Sequence, residues 1–293
     1  MKLIVTDLDG TLLNKSHVVS TENERALKKA LNKGVNVAIA SGRNYGDIKS
    51  ISNEMGIEPY IISSNGGSVY DKHGKKLKST YIDKEVGKKI IEWLRKEDFF
   101  LEIATEDKVF MEKGWEDILH KEFTLLKNKI DLNEEEYKSY IEAIKSMNGL
   151  QEVNDIVETL DNIDISLISV CSIDLERLNK VKEEIEKDNS LSCPFSGKFN
   201  FEVINKKCTK GDALEFLSEY IGINMEEIIT IGDNFNDETM LKMAGVGVAM
   251  GNADDKIKKI SNFITKDNGE DGVAYAVNKF LDAEEEVASA MEA

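Results

Sequence analysis

Two aspartates, Asp7 and Asp9, flank a single leucine in the run Thr6-Asp7-Leu8-Asp9-Gly10-Thr11-Leu12-Leu13, straight after the apolar stretch Leu3-Ile4-Val5. Like charges at the edge of a core are costly, so something has to compensate them. A polar turn, a fragment of a calcium loop and a reaction centre would each put acids here. A calcium loop needs further oxygen ligands at alternating positions and a glutamate at its twelfth. Thr11, Leu12 and Leu13 return to the core instead, which removes that reading. Turn and reaction centre both stay open on this stretch alone.

Three more polar clusters end apolar runs: Ser41 with Gly42, Asn65 with Gly66, and Asp233 with Asp237. Singly, each reads as a turn or a helix cap. Four such ends in one chain point to one shared site, because ligands of doubly wound sheets bind beyond the carboxyl ends of the strands. Asp7, Asp9 and Asp233 are hard-oxygen ligands suited to Mg²⁺, which takes one or two carboxylates, keeps waters and binds substrate phosphate. The metal would neutralise the like charges. Ser41 and Gly42, in Ala-Ser-Gly-Arg (40–43), offer a hydroxyl and backbone N–H groups to an anion, although a Ser-Gly turn explains them equally. Lys210 falls in the first turn of a predicted helix behind Thr209 as cap, where the helix dipole favours acids. Reaching a phosphate would explain it, and so would solvation of a surface lysine. His17, His73 and His120 form no cluster, and Gly245–Gly251 lacks the spacing of a dinucleotide loop.

The elements that must hold these residues alternate. Lys2–Asp7 reads as a strand. Thr21–Lys33 reads as a helix with a Thr21/Glu24 capping box, and 35–41 as a second strand. A helix around Asp47–Met55 and a strand at 60–63 follow, then a hairpin around His73-Gly74 over 68–82. From about residue 83 the pattern changes to mixed strands (99–105, 164–172, 199–204) and charged helices (84–97, 134–147, 174–187). Alternation resumes at Thr209 with a helix, the strand 227–233, a helix from Asn236 and the apolar run 244–251. This predicts an α/β protein: a doubly wound parallel sheet, residues 1–82 and 205–293, interrupted by an α+β insertion over 83–204. The end, 282–293, carries five acids and no base. It reads as a docked helix or a solvated tail.

Composition narrows the partners. Over 293 residues, Lys+Arg 38 against Asp+Glu 55 gives a net charge of −17, which disfavours nucleic acid and anionic membrane. A small phosphorylated ligand is compatible, since a metal ion inverts local electrostatics. Cys171, Cys193 and Cys208 suit neither a disulfide framework nor a zinc site. Met1 leads straight into the first strand, leaving no room for a signal peptide, and no apolar run approaches a membrane span. A cytoplasmic protein is expected. Oligomeric state is not legible, a monomer being the simplest expectation.

With these residues in hand, the chain resembles the haloacid-dehalogenase (HAD) superfamily of phosphohydrolases, and within it the Cof-type sugar-phosphatase branch with a large α/β cap. The runs DLDGTLL, ASGR, SNGG, TKGDAL, GDNFNDETML and GVAMGNA occur in the family's order, and EDGVAYAV (270–277) also fits. Residues 83–204 match only by position and length. Lys-Lys-Cys-Thr (206–209) replaces the small run that often precedes the family's lysine. The resemblance implies a Mg²⁺-dependent phosphatase acting on a small phosphorylated metabolite, with a sugar phosphate as the nearest class. It implies Asp7 as nucleophile, Asp9 as acid and base, and Mg²⁺ held by Asp7, the Asp9 carbonyl and Asp233. Ser41 and Lys210 would hold the phosphoryl oxygens, with Gly42 in the same turn. Asp237 would support the metal shell or orient Lys210, Asn65 and Asn236 would add polar contacts near the phosphate, and Thr11 would fix Asp9. A phosphomutase or phosphotransferase on the same fold, or a catalytically silent binding module, remain as alternatives.

Overall fold

A computed structural model of the chain describes residues 1–292 apart from 106–107, 128, 131, 147–149 and 162. The chain divides into two compact units, Met1–Ser79 with Cys208–Ala293, and Thr80–Lys207.

In the first unit β1 (Leu3–Thr6) is buried at every residue, as a central parallel strand covered on both faces must be. α1 (Thr21–Asn32), β2 (Asn36–Ala40), α2 (Tyr45–Met55) and β3 (Tyr60–Ser63) continue the alternation, and β4 (Ser68–Tyr70) with β5 (Lys76–Ser79) makes the hairpin. The cap of α1 differs from the expected Thr21/Glu24 box. Ser20 is the cap, with extended backbone and a hydroxyl that accepts from Asn23 N at 3.1 Å.

The second unit holds α3 (Lys84–Lys96), β6 (Phe100–Ala104), β7 (Val109–Glu112), α4 (Trp115–Leu126), α5 (Glu134–Lys145), β8 (Leu150–Val153) and α6 (Ile156–Thr159). β9 (Leu167–Cys171), α7 (Leu175–Ile185), β10 (Leu191–Ser192), β11 (Phe195–Gly197) and β12 (Asn200–Asn205) complete it. The helix expected over 134–147 ends at Lys145, and Met147 lies outside the described residues. The sheet runs β10-β12-β9-β6-β7-β8, with β11 also paired to β12. One face, with Leu101, Ile103, Val170 and Phe201, packs on Leu178 and Val181 of α7 and on Ile91 and Leu94 of α3. The other, with Phe100, Met111 and Cys171, packs on Trp115, Leu119 and Phe123 of α4 and on Tyr137 and Ile141 of α5.

The chain re-enters the first unit through α8 (Lys210–Ile221), β13 (Ile228–Gly232), α9 (Glu238–Met243), β14 (Val246–Ala249), α10 (Asp255–Ile260), β15 (Phe263–Ile264) and α11 (Gly272–Glu292). The helix expected from Asn236 is preceded by one 3₁₀ turn at Phe235–Asp237. At the acidic end α11 runs to Glu292, and Ala293 lies outside the described residues. Among the described residues the sheet has the order β15-β14-β13-β1-β2-β3-β4-β5, parallel from β15 to β3 and antiparallel at β4 and β5. From β1 the chain moves one way through β2 and β3 and later returns on the other side through β13. That makes the carboxyl end of β1 the switch point where a crevice opens. Alternate residues serve two cores: Leu3 and Val5 pack with Ala213, Leu214 and Leu217 of α8, and Ile4 with Ala26 and Leu27 of α1 and Val277 of α11.

The protein therefore has an α/β fold with a doubly wound, largely parallel sheet and an inserted second unit. No helix among the described residues is long and apolar enough to cross a membrane. The three cysteines are buried and form no disulfide.

Candidate active site

Asp7 and Asp233 leave adjacent parallel strands. Thr6 lies beside Ile231 in the register of β1 and β13, and Asp7 N donates to Ile231 O at 2.9 Å. The chain then turns at Gly10, whose φ is +80° and where a Cβ would stand 2.4 Å from Asp233 Oδ2. Only glycine meets both conditions. Two asparagines from the far end of the chain tie this loop down. Asn252 Nδ2 donates to Gly10 O at 2.8 Å, and Asn268 Nδ2 to Leu13 O at 2.9 Å.

Lys210 is the first residue of α8, capped by Thr209, whose hydroxyl accepts from Asp212 N. Its side chain is fully buried, with Nζ 2.6 Å from Asp7 Oδ1 and 2.6 Å from Asp237 Oδ1. The other oxygen of Asp237 accepts from Asp233 N at 2.9 Å and Asn234 N at 3.0 Å. Asp237 thus spends both oxygens on Lys210 and on the loop that carries Asp233. Burial opposes the charge on Lys210, but Asp7 and Asp237 outweigh it and hold its pKa above the ordinary lysine value. Burial pushes the Asp7 carboxyl up to about 7, opposed by Lys210 and reinforced by Asp237 and Asp233. Burial likewise raises Asp233, against a hydrogen bond from Thr11.

Carboxylate oxygens of Asp7, Asp233 and Asp237 lie within 4.8 Å of one another. Three carboxylates against one ammonium leave two negative charges in a largely buried place, a balance that fits a divalent cation. Asp7 Oδ1 and Asp237 Oδ1 face Lys210, and Thr11 Oγ1 donates to Asp233 Oδ1 at 2.8 Å. Asp7 and Asp233 together offer a hard-ligand carboxylate pair of the kind magnesium takes. The contact of Thr11 corrects the expectation that it fixes Asp9: its hydroxyl holds the Asp233 carboxylate instead.

The carboxylate of Asp9 is not in this cluster. Arg43 holds it through a two-pronged ion pair, Nε to Oδ2 at 2.7 Å and Nη2 to Oδ1 at 2.6 Å. Ser41 is buried, and its hydroxyl accepts from Arg43 N at 3.2 Å. Its carbonyl accepts from Asn65 N at 3.0 Å, and Asn65 Oδ1 accepts from Asn236 Nδ2 at 2.9 Å. Gly42 lies against the Asn65 side chain, where an added Cβ would stand 3.2 Å from Oδ1. Ser64 and Asn65 both have positive φ, 51° and 54°, a strained pair of the kind that collects at functional sites. At Gly66 a Cβ would stand 2.1 Å from Thr209 O, so this turn packs directly on the start of the Lys210 helix. All four polar strand ends therefore meet, directly or through one intermediate residue. Arg43, Asn252 and Asn268 belong to this network, although the sequence assigns them no role. Arg43 is the last residue of Ala-Ser-Gly-Arg, whereas the asparagines carry no local signal beyond the run that contains Asn252.

The profile of the haloacid dehalogenase-like hydrolases matches residues 4–277. The chain belongs to this family. It is 35% identical over 287 residues to Phosphatase YwpJ of Bacillus subtilis (strain 168), covering 96% of this chain and 100% of that one. It is 35% identical over 284 residues to the 5-amino-6-(5-phospho-D-ribitylamino)uracil phosphatase YwtE of the same organism, covering 96% and 98%. A solved haloacid dehalogenase-like hydrolase from B. subtilis superposes with a TM-score of 0.75 at 35% identity, covering 95% of this chain and 99% of that chain. This haloacid dehalogenase-like hydrolase is a phosphatase of the Cof-type branch, and its relatives act on small phosphorylated metabolites.

Proposed function

We propose that this phosphatase hydrolyses a small phosphate monoester, with a sugar or polyol phosphate as the nearest class, through a covalent phosphoryl-Asp7 intermediate. The observation that carries this reading is the buried Asp7 carboxylate, held 2.6 Å from Lys210 beside Asp233 at the ends of adjacent strands. In the first half-reaction an Asp7 oxygen attacks phosphorus while the bond to the leaving oxygen breaks, and Asp9 gives that oxygen its proton. In the second, water attacks the same phosphorus and passes a proton to Asp9. The bond to Asp7 breaks, and inorganic phosphate leaves. Lys210 orients Asp7 and balances phosphoryl charge, with Ser41 and the backbone around Gly42 on the same side. Asn65 and Asn236 hold the neighbouring turn.

A magnesium ion held by Asp7 and Asp233, with the Asp9 carbonyl, would supply charge neutralisation to the phosphoryl group. Asp237 acts on this centre through Lys210 and the Asp233 loop. Residues 83–204 are the specificity domain, and the enzyme works in the cytoplasm. The YwtE substrate, a phosphorylated ribityl chain joined to a uracil, supports a polyol-phosphate class for this chain too.

The test is a phosphate-release screen over sugar phosphates, polyol phosphates, nucleotides and cofactor phosphates, with and without a chelator. Release of inorganic phosphate that stops with chelator and returns with Mg²⁺ supports the reading. Isomerised sugar phosphate without free phosphate, or no reaction across the panel, overturns it.

A further inference from the structure

The ion pair between Arg43 and Asp9 is built with more care than an exposed surface pair needs. Its guanidinium uses two nitrogens on two oxygens, at 2.7 and 2.6 Å, across 34 residues of sequence. The backbone of Arg43 is fixed on both sides. Its N donates to Ser41 Oγ at 3.2 Å, and its carbonyl accepts from Ser64 N at 2.9 Å. The fork therefore stands on the same turn as Ser41 and against the strained Ser64-Asn65 pair. Its partner is still open to solvent, the Asp9 side chain being 46% exposed. Part-exposed ion pairs usually contribute little to stability, and a bidentate arginine fork adds a fixed orientation to whatever stability it gives. A carboxylate oxygen carries two lone pairs, and one on each Asp9 oxygen stays available for a reacting proton.

We propose that Arg43 is a positioning residue for Asp9: its fork orients the Asp9 carboxylate for proton transfer to the leaving oxygen. As the first phosphoryl transfer proceeds, the bond from phosphorus to the leaving oxygen breaks and that oxygen takes the proton of Asp9. Negative charge then develops on Asp9, where Arg43 already lies in line with both oxygens. An interaction that strengthens as charge develops raises turnover more than it tightens substrate binding. A planar fork does this and a point charge does not, so lysine is a poor substitute. His17, whose Nδ1 lies 3.9 Å from Asp9 Oδ1, also stands beside this carboxylate and offers no fork.

This inference rests on the role of Asp9 proposed above, and the test separates the two. Alkyl phosphates have leaving oxygens that need a proton, whereas p-nitrophenyl phosphate releases a stable anion that needs none. Arg43→Ala, Arg43→Lys, Asp9→Asn and the Asp9→Asn/Arg43→Ala double variant are assayed with both substrates. Arg43→Ala is expected to lower kcat on an alkyl phosphate by roughly tenfold more than on p-nitrophenyl phosphate, with KM nearly unchanged. Arg43→Lys should share most of that selective loss, and the double variant should lose no more than Asp9→Asn alone. If Asp9→Asn loses alkyl activity selectively while Arg43→Ala loses both substrates equally, or only raises KM, Arg43 has no positioning role. If Asp9→Asn itself shows no selective loss, the acid role of Asp9 fails and the inference falls with it.

Discussion

Lys210 Nζ lies 2.6 Å from Asp7 Oδ1, joining residues 203 positions apart at the bottom of the site. The same nitrogen lies 2.6 Å from Asp237 Oδ1, so one buried cation holds two buried acids. Removing it leaves uncompensated carboxylates. Lys210→Ala is expected to cost about 3–5 kcal/mol of stability, the range for breaking a buried pair. Turnover should fall roughly a hundredfold or more if, as proposed, the same group orients Asp7 and balances phosphoryl charge. Denaturant unfolding with and without Mg²⁺, run beside aryl-phosphate kinetics, measures both.

Thr11 acts one step away from the proposed magnesium site. Its buried hydroxyl donates to Asp233 Oδ1 at 2.8 Å and so holds that carboxylate in place. Thr11→Val keeps the shape and removes the donor. Groups that orient a ligating carboxylate affect metal affinity, so the Mg²⁺ concentration for half-maximal activity should rise roughly 10–100-fold. Activity at saturating Mg²⁺ should change far less, which a metal titration reads directly.

Gly10→Ala meets two obstacles at once, a φ of +80° and a contact of 2.4 Å with Asp233 Oδ2. Either the loop or Asp233 has to move. A displacement on this scale at a reacting centre costs roughly a hundredfold in turnover. The strain itself is about 1–3 kcal/mol, so the fold should survive. Circular dichroism paired with kinetics separates the two effects.

Glu102 gives the second unit a pH signature of its own. Burial raises its carboxyl to about 7 from the usual 4.5, with Ser169 opposing and Glu202 adding. Between those values the folded unit binds more protons than the unfolded chain, so its stability falls as pH rises from 4.5 to 7. The slope reaches at most about 1.4 kcal/mol per pH unit, and this group contributes none above or below the window. Glu102→Gln should remove that slope. Both tryptophans, Trp93 and Trp115, lie in this unit, so their fluorescence during denaturation follows it specifically.

The sheet and the convergence of its polar ends are readable in the chain because period and polarity are local. Leu3–Val5, 35–41, 60–63 and 227–233 are apolar runs that each stop at acids, amides or glycine. What is not local is pairing. That β13 lies beside β1, placing Asp233 against Asp7, depends on strand order, which periodicity does not encode. Thr11 follows the same logic: two residues from Asp9, it has its chain neighbour as the obvious partner, while the turn at Gly10 carries its hydroxyl to Asp233. Arg43 carries no local signal, because an arginine after a Ser-Gly turn looks like surface solvation and its partner Asp9 lies 34 residues away. The helix α4 is illegible for a different reason: its cap, Gly114, is left-handed and makes no side-chain cap bond, so the helix lacks a start signal.

Asp7 is where these contacts meet, and its role is open to direct observation. The enzyme is mixed with excess substrate and Mg²⁺, quenched in acid within the first turnover, digested and read by mass spectrometry. The peptide carrying Asp7 should be heavier by one phosphoryl group, and hydroxylamine should release it; in Asp7→Asn, label and turnover should both be lost. Free phosphate formed in the first turnover with no labelled protein, or label on another residue, would contradict the account.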